Sequence, residues 1–599
     1  TAAAGSSVNA TAATAATGVA PIAVASSSAA VTSANSTAGV TAVTAVTGVL
    51  GVANGAVTVN GAITGTDVLT TVSLNGYGTS TVASDVLATL NLMNSTSGVT
   101  VTTASVGTVA LNLTAVGTAA AAGTVSLDGS SATVKGVEIN ALSASVAQVT
   151  ADAATAVTIN ATGALTLTGS SFDAATSMTV TGAGAVVLDG DAAVSVLAAV
   201  DASAATGSVN AAGVALTTAG VYTGGSGADT FTVTAATTKA STGGAGDDVI
   251  TVSSFGTGGS VDAGEGSDTL VMTAADADTV SDTAELAAAF LAKATNFEAL
   301  SLGALGAHEI EMDNLGFTTV KVAGSTAAGT ISGLAANSTV EWTAVLTGAL
   351  TTSLKTATGT ADSITLISGG TGTVTAAGIE TVNVTSKVAS TLTLAATSAT
   401  TVNVDGAKAM TLDLSGMTAT TVVDASAMTG ALTLIADGKA TGTTVTGGAG
   451  ADLLTASGTN DTLIGGAGAD TLTGTTFTTM TGGAGNDTFV MNQTSSTTYN
   501  SITDASAGDI IRTGASDFGS TAIELAATAS FNDFLTAAIT QAGVGEAAWF
   551  AFGGNTYLVI DAATEDTVYD AAEDFMVQLV GTVDLSSASL NSTNGDLVI

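Results

Sequence analysis

Apolar residues along this chain alternate with small polar ones in short runs. Val57-Thr58-Val59-Asn60 is typical, the same step of two recurs at Val157/Ile159, Leu165/Leu167 and Met178/Val180, and Val187/Leu188 is read as a further strand core. Gly, Asn, Asp or Ser separates the runs, which is the spacing of short strands in a solenoid or sandwich. The clearest period lies over residues 382–434. Val382, Leu392, Val402, Leu412, Val422 and Leu432 follow one another at ten residues, most with an apolar partner two further on: Val384, Leu394, Val404, Leu414 and Leu434. Ten residues fit one strand and one turn. Two such units predict one coil of a parallel β-solenoid.

The period then shortens to nine. Gly447 to Thr455, Gly465 to Thr473 and Gly482 to Val490 read G-G-x-G-x-D-x-U-x, with U a large apolar residue, and Ala456 to Ile464 is a degenerate copy. A second block carries the pattern at Gly224 to Thr232, Gly243 to Thr251 and Ala263 to Val271, the last with Ala in the first place. Each part has a physical role. Glycine permits the tight turn and positive φ. The turn carbonyls and the Asp carboxylate are hard oxygen donors of the kind Ca²⁺ takes. The apolar residue starts a strand that points into a core. Stacked copies predict a β-roll with several calcium ions held between turns. The candidate ligands in the first block are Gly224, Ser226, Asp229, Gly243, Ala245, Asp248, Ala263, Glu265 and Asp268. Those in the second block are Gly447, Ala449, Asp452, Asp461, Gly465, Ala467, Asp470, Gly482, Ala484 and Asp487.

Around these blocks the chain divides into a low-charge repetitive β domain (1–220), a first roll (221–272), a helix cap with a β segment (273–380), a ten-residue-period solenoid (381–446), a second roll (447–500) and a β-rich C-terminal segment (501–599). The cap helix is expected over Asp282 to Ala294, with Asp282 and Glu285 as a capping box and Leu286 and Phe290 as an apolar pair. A turn-apolar-Glu segment recurs at Val137-Glu138, Phe297-Glu298 and Ile379-Glu380. Its Glu serves either a turn hydrogen bond or a further calcium ion. In the last segment Ile502-Thr503-Asp504 and Gly508 to Ile511 predict strands closing the last roll. Phe531 to Gln541 predicts a short helix, Trp549 to Asp561 a hairpin turning at Gly553-Gly554-Asn555, and Phe575 to Gly581 another strand.

Composition narrows the partners. The 599 residues carry 48 acids against 9 bases, a net charge of −39. Nucleic acid is excluded, because phosphate binding needs clustered Lys and Arg. Carboxylates in such excess repel one another, and divalent cations relieve that repulsion, so folding and calcium should be coupled. No membrane span is expected, for lack of an uninterrupted apolar run. Residues 1–66 carry no charge, but their Val and Thr favour strands over disorder. With Thr1 in place of Met and no basic leader, the chain reads as a fragment or a processed form.

Enzyme chemistry finds little support. The single histidine, His308, lies among Glu309, Glu311 and Asp313, and a catalytic zinc site needs two or three. Cysteine is absent, and there is no G-x-S-x-G elbow. Trp342 and Trp549 are expected as packing anchors. The expectation is a protein without catalytic residues.

The nonapeptide blocks resemble the RTX (repeats-in-toxin) family. Together with the strand repeats rich in Thr, Ala, Val and Gly, the segment Gly378-Ile379-Glu380-Thr381-Val382-Asn383-Val384 and the stretch Trp549 to Asp561, they resemble RTX-type surface-layer proteins of Gram-negative bacteria. That resemblance implies an all-β subunit that folds on Ca²⁺, leaves the cell by type I secretion on an uncleaved C-terminal signal (Gly595 to Ile599), and assembles with copies of itself into a two-dimensional coat. It also implies an anchor on lipopolysaccharide through an N-terminal helical domain, which this sequence does not show. The rival resemblance is to RTX adhesins or biofilm-matrix proteins, which repeat near-identical domains not seen here. A carbohydrate-active enzyme stands third.

Overall fold

The computed structural model describes the backbone of the strands Asn9–Thr11, Ile22–Ser26, Val31–Ser36, Ala42–Thr47 and Val57–Ala62. From residue 69 it describes the chain except 106, 129–133, 189–195, 234–235, 357–358, 360, 436–441, 492–498, 563–568, 570–573 and 592. The segments that link the strands within 1–66 lie outside the described residues. Two compact units form: Thr1–Met272 with Glu285–Leu300, and Thr273–Ala284 with Ser301–Ile599.

Within each unit successive strands alternate between two parallel sheets, and each strand pairs with the next but one. This is a parallel β-solenoid. In the first unit Gly136–Ala141 pairs with Ala156–Ala161, which pairs with Ser177–Gly182, so that Ile139, Ile159 and Val180 stack in register. The opposite wall runs through Ser145–Thr150, Leu165–Leu167 and Val186–Leu188. Inward residues are fully buried, as at Ile139, Ile159, Val180 and Leu165. Outward positions carry Thr, Ser and Asn, and the amides bond along the stack: Asn112 Nδ2 to Asn91 Oδ1 at 2.6 Å and Asn140 Nδ2 to Asn112 Oδ1 at 2.9 Å. Strand alternation puts the two residue classes on opposite faces. A parallel stack then aligns like with like.

In the second unit the ten-residue period becomes a twenty-residue coil. Val382 pairs with Val402 on one wall, and Leu392 with Leu412 on the other. The strict period then fails at Val422. Val402 stacks on Val423, one residue past the twenty-residue step, so Val422 turns outward while Val423 is buried, and the register shifts again between Asn403 and Asp405. One inserted residue reverses the facing of a strand because the side-chain period is two. The same cause moves Val187 outward, leaving Val186 and Leu188 in the core. Beyond Thr444–Thr446 the coils shorten to eighteen residues or fewer, with Thr462–Ala467 and Thr479–Ala484 continuing the same wall. The ten-residue coils therefore run on into the nonapeptide coils.

The predicted helix forms over Ala284–Leu291, and a second helix, Ala274–Ser281, precedes it. Asp282 is the C-cap of this preceding helix, donating its N–H to the Asp278 carbonyl, so it does not form a capping box with Glu285. The preceding helix is instead started by Thr273, which caps Asp276. Phe290 is buried 5.5 Å from Phe255, while Leu286 is 48% exposed, so the expected apolar pair is not a core pair. Trp342 is fully buried and donates Nε1–H to the Gly370 carbonyl; Trp549 is nearly so and donates to Ser520. His308 bonds Asp278 at 2.7 Å on a part-exposed surface.

The C-terminal segment closes the stack in the second unit. The hairpin Glu546–Phe552/Asn555–Ile560 packs Phe550 and Tyr557 against the helix Phe531–Gln541, which has a Ser530/Asp533 capping box. Phe575–Leu579 extends one wall by pairing with Asn500–Ile502. Asp596–Val598 extends the other antiparallel to Ile510–Arg512. No helix among the described residues is long and apolar enough to cross a membrane.

Candidate metal centres

Every motif Asp is buried at the corner between the two walls. Asp229, Asp248, Asp268, Asp452, Asp470 and Asp487 expose at most 2% of their surface. The stacking of coils, not a local turn, holds each carboxylate. Asp229 donates its N–H to Asp248 Oδ1 at 2.7 Å, and Asp248 donates to Asp268 Oδ1 at 2.7 Å. In the second block Asp452 donates to Asp470 at 2.8 Å, Asp470 to Asp487 at 2.9 Å and Asp487 to Asp509 at 2.9 Å. Ordinary backbone opens each ladder: Val209 N–H on Asp229 and Leu432 N–H on Asp452.

The second carboxylate oxygen behaves differently at the first rung and at later ones. At the first rung it accepts the N–H of its own second glycine, Gly225 for Asp229 and Gly448 for Asp452. At Asp248, Asp268 and Asp470 it is buried with no hydrogen-bond partner. Backbone conformation explains the difference. Gly244, Gly264 and Gly466 adopt positive φ near 110°, which lays the later turns flat against their predecessors. Gly244 then pairs with Gly264, and Gly466 with Gly483, so their N–H groups no longer reach the carboxylate. The left-handed conformation strains any residue with a β-carbon.

Beside the orphaned oxygens of Asp248 and Asp470 lies a carbonyl from the next coil. A β-carbon at Gly465 would collide with both Asp470 Oδ2 and the Gly482 carbonyl, and one at Gly243 with Asp248 Oδ2 and the Ala263 carbonyl. Gly447 stands in the same way between Asp452 Oδ2 and the Gly465 carbonyl, and Gly224 between Asp229 Oδ2 and the Gly243 carbonyl. Gly482 borders Asp487 Oδ2. First-position glycine therefore keeps open a cradle walled by a carboxylate oxygen and a carbonyl oxygen.

The third-position residues serve the ladder. Ser226 N–H bonds the Ala205 carbonyl, Ala245 the Gly225 carbonyl, Ala449 the Met428 carbonyl and Ala467 the Gly448 carbonyl. The Glu265 and Ala484 carbonyls accept from Gly246 and Gly468. Asp461 belongs to the degenerate copy and, like the first-rung Asp229 and Asp452, has both oxygens engaged: it accepts from Thr443, Ser457 and Gly458 N–H. Sequence reasoning passed over Asp509 and Asp504. Asp509 ends the ladder and Asp504 receives the N–H groups of Gly482 and Gly483, and neither follows a glycine signature.

Burial without a counter-charge dominates the electrostatics. Desolvation pushes Asp248 up to about 7 and Asp470 up to about 6, and raises Asp229, Asp268, Asp452 and Asp487 above the ordinary range. The backbone donors on each carboxylate offset part of this. Among the described residues no three His, Cys, Asp or Glu side chains converge on one point. The donor set is thus mixed, one carboxylate and one carbonyl from successive coils, in keeping with a hard cation that accepts carbonyl oxygen.

Residues 437–477 and 478–490 match the family described as the RTX calcium-binding nonapeptide repeat, in 4 copies. The second block thus carries RTX calcium-binding repeats. The match falls on the second block; the first block shares its ladder, its orphaned oxygens and its cradles. RTX nonapeptide repeats bind calcium, and the buried carboxylate oxygens fit that ion. RTX repeat proteins are typically secreted. No curated protein matches the chain.

Proposed function

We propose that this protein is the RTX-type structural subunit of a bacterial surface layer, folding on calcium outside the cell and assembling with copies of itself. The observation that carries the reading is the outer surface of the solenoid walls. Thr, Ser and Asn repeat there in register, as in the column Thr339, Thr365, Asn383 and Asn403. Such neutral, flat walls offer lateral packing surfaces, and the net charge of −39 keeps subunits apart until cations bridge them.

Asp229, Asp248, Asp268, Asp452, Asp470 and Asp487 would hold the calcium, with the carbonyls of Gly243, Ala263, Gly465 and Gly482. Calcium supplies positive charge to carboxylates that burial disfavours, so binding energy becomes folding energy. At low cytoplasmic calcium the same carboxylates oppose closure of the rolls and keep the chain exportable. Catalysis forms no part of this reading. Lipopolysaccharide is the anchoring partner in this reading, and Gly595 to Ile599 serve as a type I secretion signal.

Light scattering and electron microscopy of the purified chain in EGTA and then in millimolar calcium test the reading. Reversible sheets with a regular repeat are expected. A calcium-folded protein that stays monomeric would sink self-assembly for this chain and favour the adhesin.

A further inference from the structure

The nonapeptide sites leave the turn-apolar-Glu segments unexplained. Two of the three Glu residues share one arrangement with an Asp of an earlier coil. Glu298 Oε2 accepts the Asp268 N–H at 2.7 Å, while the N–H groups of Glu298 and Ala299 return to the Asp268 carbonyl at 3.1 and 3.0 Å. In the second unit Glu380 Oε2 accepts the Asp362 N–H at 3.1 Å, and the N–H groups of Glu380 and Thr381 return to the Asp362 carbonyl at 3.1 and 3.0 Å. In both pairs the Asp keeps Oδ2 buried and without a hydrogen-bond partner. Asp268 itself has no exposed surface. Glu138 is the exception: it sits in register with Ala110 and bonds Asn140.

A turn hydrogen bond does not require a carboxylate. In the same solenoid a neutral side chain, Asn500, caps the Thr478 N–H at 2.9 Å. A second acid set beside an Asp whose Oδ2 is buried and unpartnered adds repulsion unless a cation joins them. The ion pairs among the described residues lie elsewhere, at His308–Asp278, Lys387–Glu341 and Arg512–Asp596.

We propose that Asp268–Glu298 and Asp362–Glu380 are two divalent-cation sites completed from outside the nonapeptides, each holding a cation of the calcium class between an Asp of one coil and a Glu of the next. The first rests on the calcium reading of the nonapeptide blocks and extends it. The Asp268 unit has Ala263 in its first position and no nonapeptide coil after it, and Glu298 supplies the missing donor. The second pair lies outside both blocks and stands by its own geometry. Hard oxygen donors from two carboxylates, one of them able to bind through both oxygens, suit calcium.

Equilibrium dialysis of the full chain against calcium provides the test, comparing wild type, Glu298→Gln, Glu380→Gln, the double variant and Asp470→Asn. Glutamine keeps an acceptor for the capped N–H and removes the charge. Each single Gln variant should lose one bound ion and the double variant two, with circular dichroism at saturating calcium unchanged. An unaltered count in both Gln variants overturns the proposal; if Asp470→Asn still loses an ion, the nonapeptide reading survives. A wild-type chain that binds no calcium overturns both. If Glu298→Gln fails to fold at saturating calcium, Glu380→Gln, in the other unit, decides.

Discussion

Asp470 Oδ1 accepts the backbone N–H of Asp452 at 2.8 Å across eighteen residues, while Asp470 Oδ2 is buried with no partner. One carboxylate thus has a structural oxygen and a vacant one. The two functions separate on substitution. Asp470→Asn keeps an acceptor and removes the buried charge, so in EGTA it should match or exceed wild type in thermal stability. In calcium it should fall below. Asp470→Ala orphans the Asp452 N–H and should cost about 1–3 kcal/mol in either condition. Thermal unfolding followed by circular dichroism, with and without calcium, distinguishes the three. An asparagine variant equally destabilised in both would refute the division.

Acidity gives the second prediction. Burial raises Asp248 to about 7 and Asp470 to about 6 from 3.8 in the unfolded chain. Between those values the folded state binds more protons than the unfolded state, so stability declines as pH rises. The calcium-free protein should melt at higher temperature at pH 5 than at pH 8. Calcium should reverse the order, because the ionised carboxylate is the form that binds. A calcium-free melting temperature that rises with pH would contradict this.

Glycine placement gives the third. Gly465→Ala drives a β-carbon into Asp470 Oδ2 and the Gly482 carbonyl, whereas Gly303 meets nothing within 4 Å. Gly465→Ala should lower both calcium affinity and stability, the latter by about 2 kcal/mol or more, as overpacking does. Gly303→Ala should stay within about 1 kcal/mol of wild type. Calcium titration followed by circular dichroism reads both quantities.

The closing strand gives the fourth. Arg512 donates to Asp596 at 2.6 and 3.2 Å, and Asn594 donates to the same carboxylate at 2.6 Å. Arg512 is 44% exposed, so solvent screens the pair. Asp596→Ala should lower stability by about 1 kcal/mol. Deleting Asp596–Val598 should cost more and promote aggregation, because it bares the edge of Ile510–Arg512. Analytical ultracentrifugation of the two variants in calcium separates the outcomes.

The solenoid was legible because its period is written in residue classes. Val382, Leu392, Val402 and Leu412 recur without interruption, and parallel stacking follows. What escaped were the insertions. The extra residue before Val422 that turns it outward leaves no mark in composition, since Val422 and Val423 are identical residues. The helix Ala274–Ser281 escaped for a related reason: its sequence, rich in Ala and Asp, shows no apolar stripe, and its start rests on the Thr273 cap. The motif aspartates stood out by their glycine signature. Asp504 and Asp509 did not, because each acts on a coil formed many residues earlier and only stacking brings the partners together.

The aspartate ladders have a direction. Each carboxylate receives from the coil before it, and each Asp N–H gives to the coil after it. Backbone from Val209 or Leu432 opens a ladder, and Glu298 or Asp509 ends it. An interior rung brings one donor and one acceptor, so adding or removing a whole coil leaves both ends unaltered. Gene duplication can therefore lengthen either block in steps of one coil, twenty residues between Asp248 and Asp268 or eighteen between Asp452 and Asp470, without redesigning the termini. Block length is then a quantity that evolution can change in steps, while the opening and closing segments stay fixed.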